Sequence, residues 1–256
     1  MDCRSQCPVA GRCGHQSGLL YPGQRRSVMT AISTHHLWVP FANPVLQSQQ
    51  AFRKLMRAMS EPGTCVSFDT LYASDSGQAA STSQTAAFAT ALTLLDQETS
   101  VWISPGISSP ALIDNLRFHC GCRLAENASE ADFVMLSLSE LNGLDRFSEG
   151  EDINPHTSAT LIVEVPALEV ASVDEAHPDL LVLSGPGIKA RKGVRVQGLT
   201  PDHRRLFENN HQRYPLGVDF MLTCGADLVA LPRSTQVSTL TNRAATAGED
   251  TQCMSQ

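Results

Sequence analysis

The residues of this chain best placed to do chemistry form one run, Ser184-Gly185-Pro186-Gly187, which follows an apolar segment and precedes Lys189, Arg191, Lys192 and Arg195. Glycines let a ligand come close to the backbone, exposed N–H groups favour an anion, and nearby cations add charge-assisted bonds to phosphate oxygens. Ser184, Gly185, Gly187, Lys189, Arg191 and Lys192 are therefore the candidate ligand-binding residues, with a phosphate-bearing molecule as the ligand class. Two features oppose that reading: Pro186 has no N–H to donate, and no obvious helix follows to contribute its dipole. The run also reads as a tight turn carrying a solvated basic loop, because Gly-Pro pairs mark turns. A third reading is a docking loop for an acidic surface on another subunit.

The other reactive groups are poorly arranged for catalysis. Only Lys54, Lys189 and Lys192 can form a Schiff base, and none has a motif around it that would desolvate and activate an amine, so no pyridoxal-phosphate site or other cofactor is assigned. His203 and His211 are eight residues apart, which does not match the i, i+4 spacing that puts two ligands on one helical face. His35-His36, and His119 beside Cys120 and Cys122, lack further correctly spaced partners; Cys3, Cys7, Cys13 and His15 lack paired CxxC spacing. No metal site or catalytic residue is assigned. There is no P-loop, no GxGxxG, no GxSxG elbow and no HExxH. Asp219 and Arg233 stand out as single charges, read here as holding a terminal strand pair in place through buried or edge hydrogen bonds, since buried charge is normally paired.

The elements that must position these groups follow from periodicity. Phe52, Leu55, Met56 and Met59 recur at i, i+3, i+4, i+7 within Ser48–Ser60, and Pro62-Gly63 stops the pattern, which predicts an amphipathic helix with Arg53, Lys54 and Arg57 off its apolar stripe. After a Gly/Ser/Ala-rich passage from Ala73 to Ser83, the Ala- and Leu-rich Gln84–Leu95 predicts a buried helix. Ser109-Pro110 and Thr200-Pro201 supply caps and first-turn prolines for two more helices. Strands are expected at Val101–Ser104, Phe133–Leu136, Thr160–Val165 and Leu180–Leu183, and a strand pair around the turn Cys224-Gly225-Ala226-Asp227. Short apolar strands separated by helices predict an α/β layered fold with a mixed β-sheet.

Residues 1–28 are rich in Gly, Cys, Gln and Arg without apolar period and are expected to be disordered or untranslated. Arg25-Arg26 is encodable by a purine-rich ribosome-binding sequence two codons before Met29, which leaves Met1 and Met29 as alternative starts. Residues 29–237 then form a single domain and residues 238–256 a polar, flexible tail. A formal net charge of -7 and few lysines argue against a nucleic-acid surface. No apolar run approaches a membrane span and no signal-peptide core is visible, so a cytoplasmic protein is expected. The eight cysteines are irregularly placed and read as small, mostly buried residues rather than a disulfide framework.

Several short runs carry a resemblance. Tyr214-Pro215-Leu216-Gly217-Val218-Asp219, the glycine turn at Gly225 and the exit Ala230-Leu231-Pro232-Arg233-Ser234-Thr235 resemble the closing unit of the PhnH family of phosphonate-metabolism proteins. Phe52–Thr64 resembles that family's opening helix with its Pro-Gly-Thr stop, Leu94–Thr99 its Leu-Leu-Asp-x-Glu-Thr run, and Leu183–Ile188 its Leu-Ser-Gly-Pro-Gly-Ile run. The resemblance, over roughly Pro44 to Val237, implies a three-layer fold with a mixed β-sheet like that of pyridoxal-phosphate-dependent transferases without their cofactor site. It further implies a subunit of the bacterial carbon–phosphorus lyase core complex, homodimeric and in contact with PhnG-, PhnI- and PhnJ-like subunits. The reaction implied for that assembly makes ribose 1-methylphosphonate 5-triphosphate and adenine from ATP and methylphosphonate. From the residues themselves two alternatives stand: a free-standing α/β transferase with the 184–192 loop as its anion site, and a ligand sensor of the same pathway.

Overall fold

The computed structural model describes residues 37–69, 84–175 and 177–238. The expectations for residues 1–28, His35-His36, the 73–83 passage and the tail beyond 238 lie outside the described residues.

Seven strands form the larger sheet: β1 (Cys65–Ser67), β2 (Ser100–Ile103), β3 (Arg123–Leu124), β4 (Phe133–Ser137), β5 (Thr160–Glu164), β9 (Asp219–Cys224) and β10 (Asp227–Leu231). They lie in the order β1-β10-β9-β5-β4-β2-β3. The β3, β2, β4, β5 and β9 ladder is parallel, and the β9–β10 hairpin and β1 close one edge antiparallel. Parallel strands must be covered on both faces, and the side chains alternate accordingly. Val134, Leu161, Phe220 and Leu231 are cross-strand neighbours on one face; Met135, Ile162, Met221 and Ala230 are neighbours on the other.

The second of these faces is covered by three helices, α1 (Pro44–Ser60), α2 (Thr85–Leu94) and α3 (Pro110–His119). The first is covered by α4 (Pro201–Gln212) and by a second, antiparallel sheet of β6 (Leu168–Ala171), β7 (Leu180–Ser184), β8 (Lys192–Val196) and β11 (Gln236–Ser238), ordered β11-β7-β8-β6. The α/β reading and the mixed sheet are therefore present, but Leu180–Ser184 belongs to a separate sheet. The stretch after it is not a solvated loop throughout. Gly193, Val194 and Val196 are buried, so Lys192–Val196 pairs as β8 on the same hairpin.

The helix caps read from the sequence are made. Ser109 accepts the Leu112 N–H at 3.1 Å, and Thr200 accepts that of His203 at 3.1 Å. The apolar stripe of α1 needs correction: its buried residues are Ala51, Leu55 and Ala58, whereas Phe52 and Met56 face outward. Ala51 and Ala58 win the inner face because α1 packs on the alanine-rich α2, and small side chains let two helices approach closely.

Between β10 in one sheet and β11 in the other, the chain crosses layers at Pro232–Thr235. There the Arg233 guanidinium grips Asp219 at the start of β9. Arg233 Nη2 donates to Oδ2 at 2.5 Å, Nε and the Arg233 backbone N–H donate to Oδ1 at 3.2 and 2.8 Å, and Nη1 donates to the Pro155 carbonyl at 2.7 Å. Both side chains are about five-sixths buried, at 16% and 15% exposure. Removing one partner strands the other charge in a dry site, so Arg233→Ala is expected to destabilise the fold by ~3 kcal/mol in urea denaturation. A loss under about 1 kcal/mol would mean that the pair is only a surface bridge.

Candidate functional site

The predicted anion loop is placed at a three-way junction. Ser184 ends β7, pairs with Gln236 of β11 and donates from Oγ to its Oε1 at 3.3 Å. Gly187, at φ 79°, lies so close to the end of α1 that a Cβ there would sit 2.0 Å from the Ser60 carbonyl oxygen. Lys192 Nζ donates to Thr64 Oγ1 at 2.7 Å, and Arg195 bridges Glu169 at 2.9 Å and also pairs with Glu175. The structure thus brings Ser184, Gly187 and Lys192 together with Pro62–Thr64 and the layer crossing. Lys189 and Arg191 stay exposed on the loop.

In open α/β sheets a ligand sits beyond the carboxyl ends of parallel strands, where the strand order reverses. Here β2 leads to β3 on one side and β4 lies on the other, so that point falls after Ile103 and Ser137. Three donors converge there, and a carboxylate of the chain occupies them. Glu140 accepts from Ser104 Oγ at 2.5 Å, from the Gly106 backbone N–H at 2.9 Å and from Ser137 Oγ at 2.9 Å. Gly106 permits this: a Cβ on it would lie 2.6 Å from Glu140 Oε2. Burial alone would raise the Glu140 pKa, but the bonds from Ser104, Gly106 and Ser137 outweigh it and hold the carboxyl below its ordinary range. Arg146 caps the group, donating to the Glu140 carbonyl at 2.7 Å while its guanidinium lies over Trp102 and Phe147. None of Ser104, Gly106, Ser137 and Glu140 was singled out from the sequence. The one available signal was Ser104-Pro105-Gly106, a turn immediately after a strand.

Beside this point a cleft of about 800 Å³ opens between the ends of β4 and β5 and the start of α4. Its polar lining includes Ser137, Ser139, Glu164, Asp202 and His203, with no lysine or arginine. Burial pushes the Glu164 carboxyl up, opposed by a bond from Gln84, and burial likewise lowers the His203 pKa. His203 Nδ1 accepts the Thr200 N–H at 3.2 Å, so its ring serves the helix cap. In the adjoining groove of about 230 Å³, Arg205 pairs with Asp202 at 3.5 Å, and Arg213 pairs with Asp145 at 3.4 Å and with Glu149. A cleft with two carboxylates, a neutral imidazole and no cation of its own is unsuited to a triphosphate or a phosphonate.

The lysines reach neither place. Lys54 Nζ donates to the Ser67 carbonyl at 2.5 Å and lies 5.7 Å from the centroid of the Phe68 ring. His119 is used at the Trp38 carbonyl, 3.2 Å away, and burial raises the Cys120 thiol to about 12, which keeps it un-ionised. Among the described residues no cluster of metal-ligating groups forms, and no helix is long and apolar enough to cross a membrane.

Comparison with known proteins gives consistent relatives. The model of the family described as bacterial phosphonate metabolism protein (PhnH) matches residues 39–238. A Rhizobium meliloti (strain 1021) protein named alpha-D-ribose 1-methylphosphonate 5-triphosphate synthase subunit PhnH is 33% identical over 200 residues, covering 77% of this chain and 93% of that protein. A Stutzerimonas stutzeri protein named putative C-P lyase subunit protein HtxG is 29% identical over 213 residues, covering 82% and 94%.

Two measurements check the site. A carboxylate whose folded pKa is depressed stabilises the fold above its unfolded pKa of about 4.3, and that contribution is lost as pH falls through the lower folded value. The melting temperature of Glu140→Gln is therefore expected to lie furthest below wild type above pH ~5 and to converge with it as pH falls through the lowered folded pKa. A constant gap would contradict the assignment. Gly187→Ala, which combines a positive φ with a clash against Ser60, is expected to cost roughly 2 kcal/mol or more in urea.

Proposed function

The chain belongs to the PhnH family of bacterial phosphonate metabolism proteins, and we propose that it works as a PhnH-like subunit of the carbon–phosphorus lyase core complex, contributing surface and shape rather than catalytic groups. In the reaction assigned to this assembly a phosphonate oxygen bonds to the ribose C1′ of ATP as the bond to adenine breaks, giving ribose 1-methylphosphonate 5-triphosphate and adenine. The observation that carries the proposal is the self-occupied switch point. The place where an α/β sheet usually receives an anion is taken by Glu140, and the cleft beside it has no cation to offer a phosphate. The proposed setting is the cytoplasm, with self-association as a homodimer and contacts to PhnG-, PhnI- and PhnJ-like subunits. The exposed Lys189 and Arg191 fit a loop that docks on an acidic neighbour.

A free-standing pyridoxal-phosphate transferase is less well supported. Of the three lysines, Lys54 and Lys192 are engaged at Ser67 and Thr64, and none lines the crevice. Co-expression of the full chain with the PhnG-, PhnI- and PhnJ-like proteins of the same organism, followed by native mass spectrometry, is expected to yield an assembly that contains it. If those proteins assemble while this chain stays apart, the subunit reading is wrong.

A further inference from the structure

Among the described residues, the outer side of α1 carries the largest concentration of apolar side chains left in water. Val45 is 67% exposed, Phe52 48% and Met56 52%, and Leu46 beside them 56%. At 3.6 residues per turn Val45, Phe52 and Met56 point within about 40° of one another, so they form one exposed strip to one side of the buried Ala51, Leu55 and Ala58. Two grooves that share Ser48 run between α1 and α2, and Phe52 of the strip borders the first: one of about 320 Å³ lined also by Gln49, Arg53 and Thr93, and one of about 340 Å³ lined by Phe41, Pro44, Leu92 and His119. Singly exposed apolar residues are ordinary, but four on one helix beside grooves mark an interaction surface.

Charge identifies the occupant. The helix contains Arg53, Lys54 and Arg57 and no carboxylate. Lys54 is turned in toward Ser67, Arg57 meets only the exposed Glu61 at 3.5 Å, and Arg53 makes no ion pair among the described residues. A second copy seated on α1 about a two-fold axis would bring together two helices that each carry cations and no carboxylate, which adds like charge to the interface. We propose that the Val45–Phe52–Met56 strip docks a different polypeptide that presents an apolar strip bordered by carboxylates, with Phe52 as the anchor and Arg53 as the charge that orients it. The inference rests on the subunit reading above and assigns it a surface.

The test compares full-length wild type, Phe52→Glu and Arg53→Glu, each co-expressed with the other subunits, with recovery of the assembly measured by native mass spectrometry. Circular dichroism melts check that each variant folds, as is expected for outward-facing side chains. Phe52→Glu is expected to lower recovery of this chain in the assembly by about tenfold or more, and Arg53→Glu by a smaller factor that shrinks as salt rises. Recovery of both variants at the wild-type level overturns the docking face and leaves the subunit reading intact. Wild type absent from the assembly overturns both. Loss of a dimer of the isolated chain in Phe52→Glu, with the assembly unaffected, makes the occupant a second copy and overturns the acidic partner.

Discussion

The Asp219–Arg233 pair is the point on which the two-sheet architecture turns. Arg233 stands where the chain leaves β10 for β11, and Asp219 where β9 begins, so one ion pair fixes the crossing between layers to the middle of the larger sheet. A fourth bond of Arg233, from Nη1 to the Pro155 carbonyl, adds the segment that leads into β5. Once that crossing is set, β11 can pair with β7, and the turn after β7 is pressed against the end of α1 at Ser60. Lys192 completes the corner by reaching Thr64. Runs of sequence that are far apart, Pro62–Thr64, Leu183–Ile188 and Leu231–Thr235, meet in one packed junction. Their unusual punctuation reflects steric demand: prolines and glycines stand where backbones approach too closely for ordinary side chains.

Much of this was legible beforehand for definable reasons. Helix starts at Ser109-Pro110 and Thr200-Pro201 are local chemistry, and the central strands announce themselves as apolar runs because parallel strands are buried on both faces. A structural role for Asp219 and Arg233 follows from the cost of burying a lone charge, while their pairing with each other is visible only in the fold. What the sequence did not reveal was partnership. Whether Leu180–Ser184 joins the main sheet depends on which strand it meets, and nothing local encodes that. The outer strip of α1 differs from its periodicity for a related reason: Phe52 and Met56 are the larger apolar residues, but close approach to α2 favours Ala51 and Ala58. Glu140 has no local signature in the sequence, because its role depends on Ser104, Gly106 and Ser137 converging from two strand ends.

The same geometry separates two uses of an α/β frame. An enzyme of this architecture leaves the crevice at the strand ends open and lines it with groups matched to its ligand. Here the converging donors are satisfied by an internal carboxylate, the adjoining arginines are held by Asp145, Glu149 and Asp202, and the larger cleft is acidic. Among the described residues, Val45, Leu46, Phe52 and Met56 place exposed apolar surface instead on the outside, along α1. A subunit that completes an assembly needs a rigid frame and a distinctive surface, and both are what this chain displays.

The central claim is that the chain contributes to phosphonate chemistry by binding other subunits and not through its crevice. The direct measurement is turnover of ATP and methylphosphonate to adenine by the reconstituted assembly carrying Glu164→Ala and Asp202→Ala in this chain, with assembly mass verified in the same sample. The account predicts turnover within about twofold of the unmodified assembly, since these carboxylates are assigned no contact with reacting atoms. An intact assembly whose turnover falls by a hundredfold or more, about 2.7 kcal/mol of lost transition-state stabilisation, would place the crevice in the reaction and contradict it.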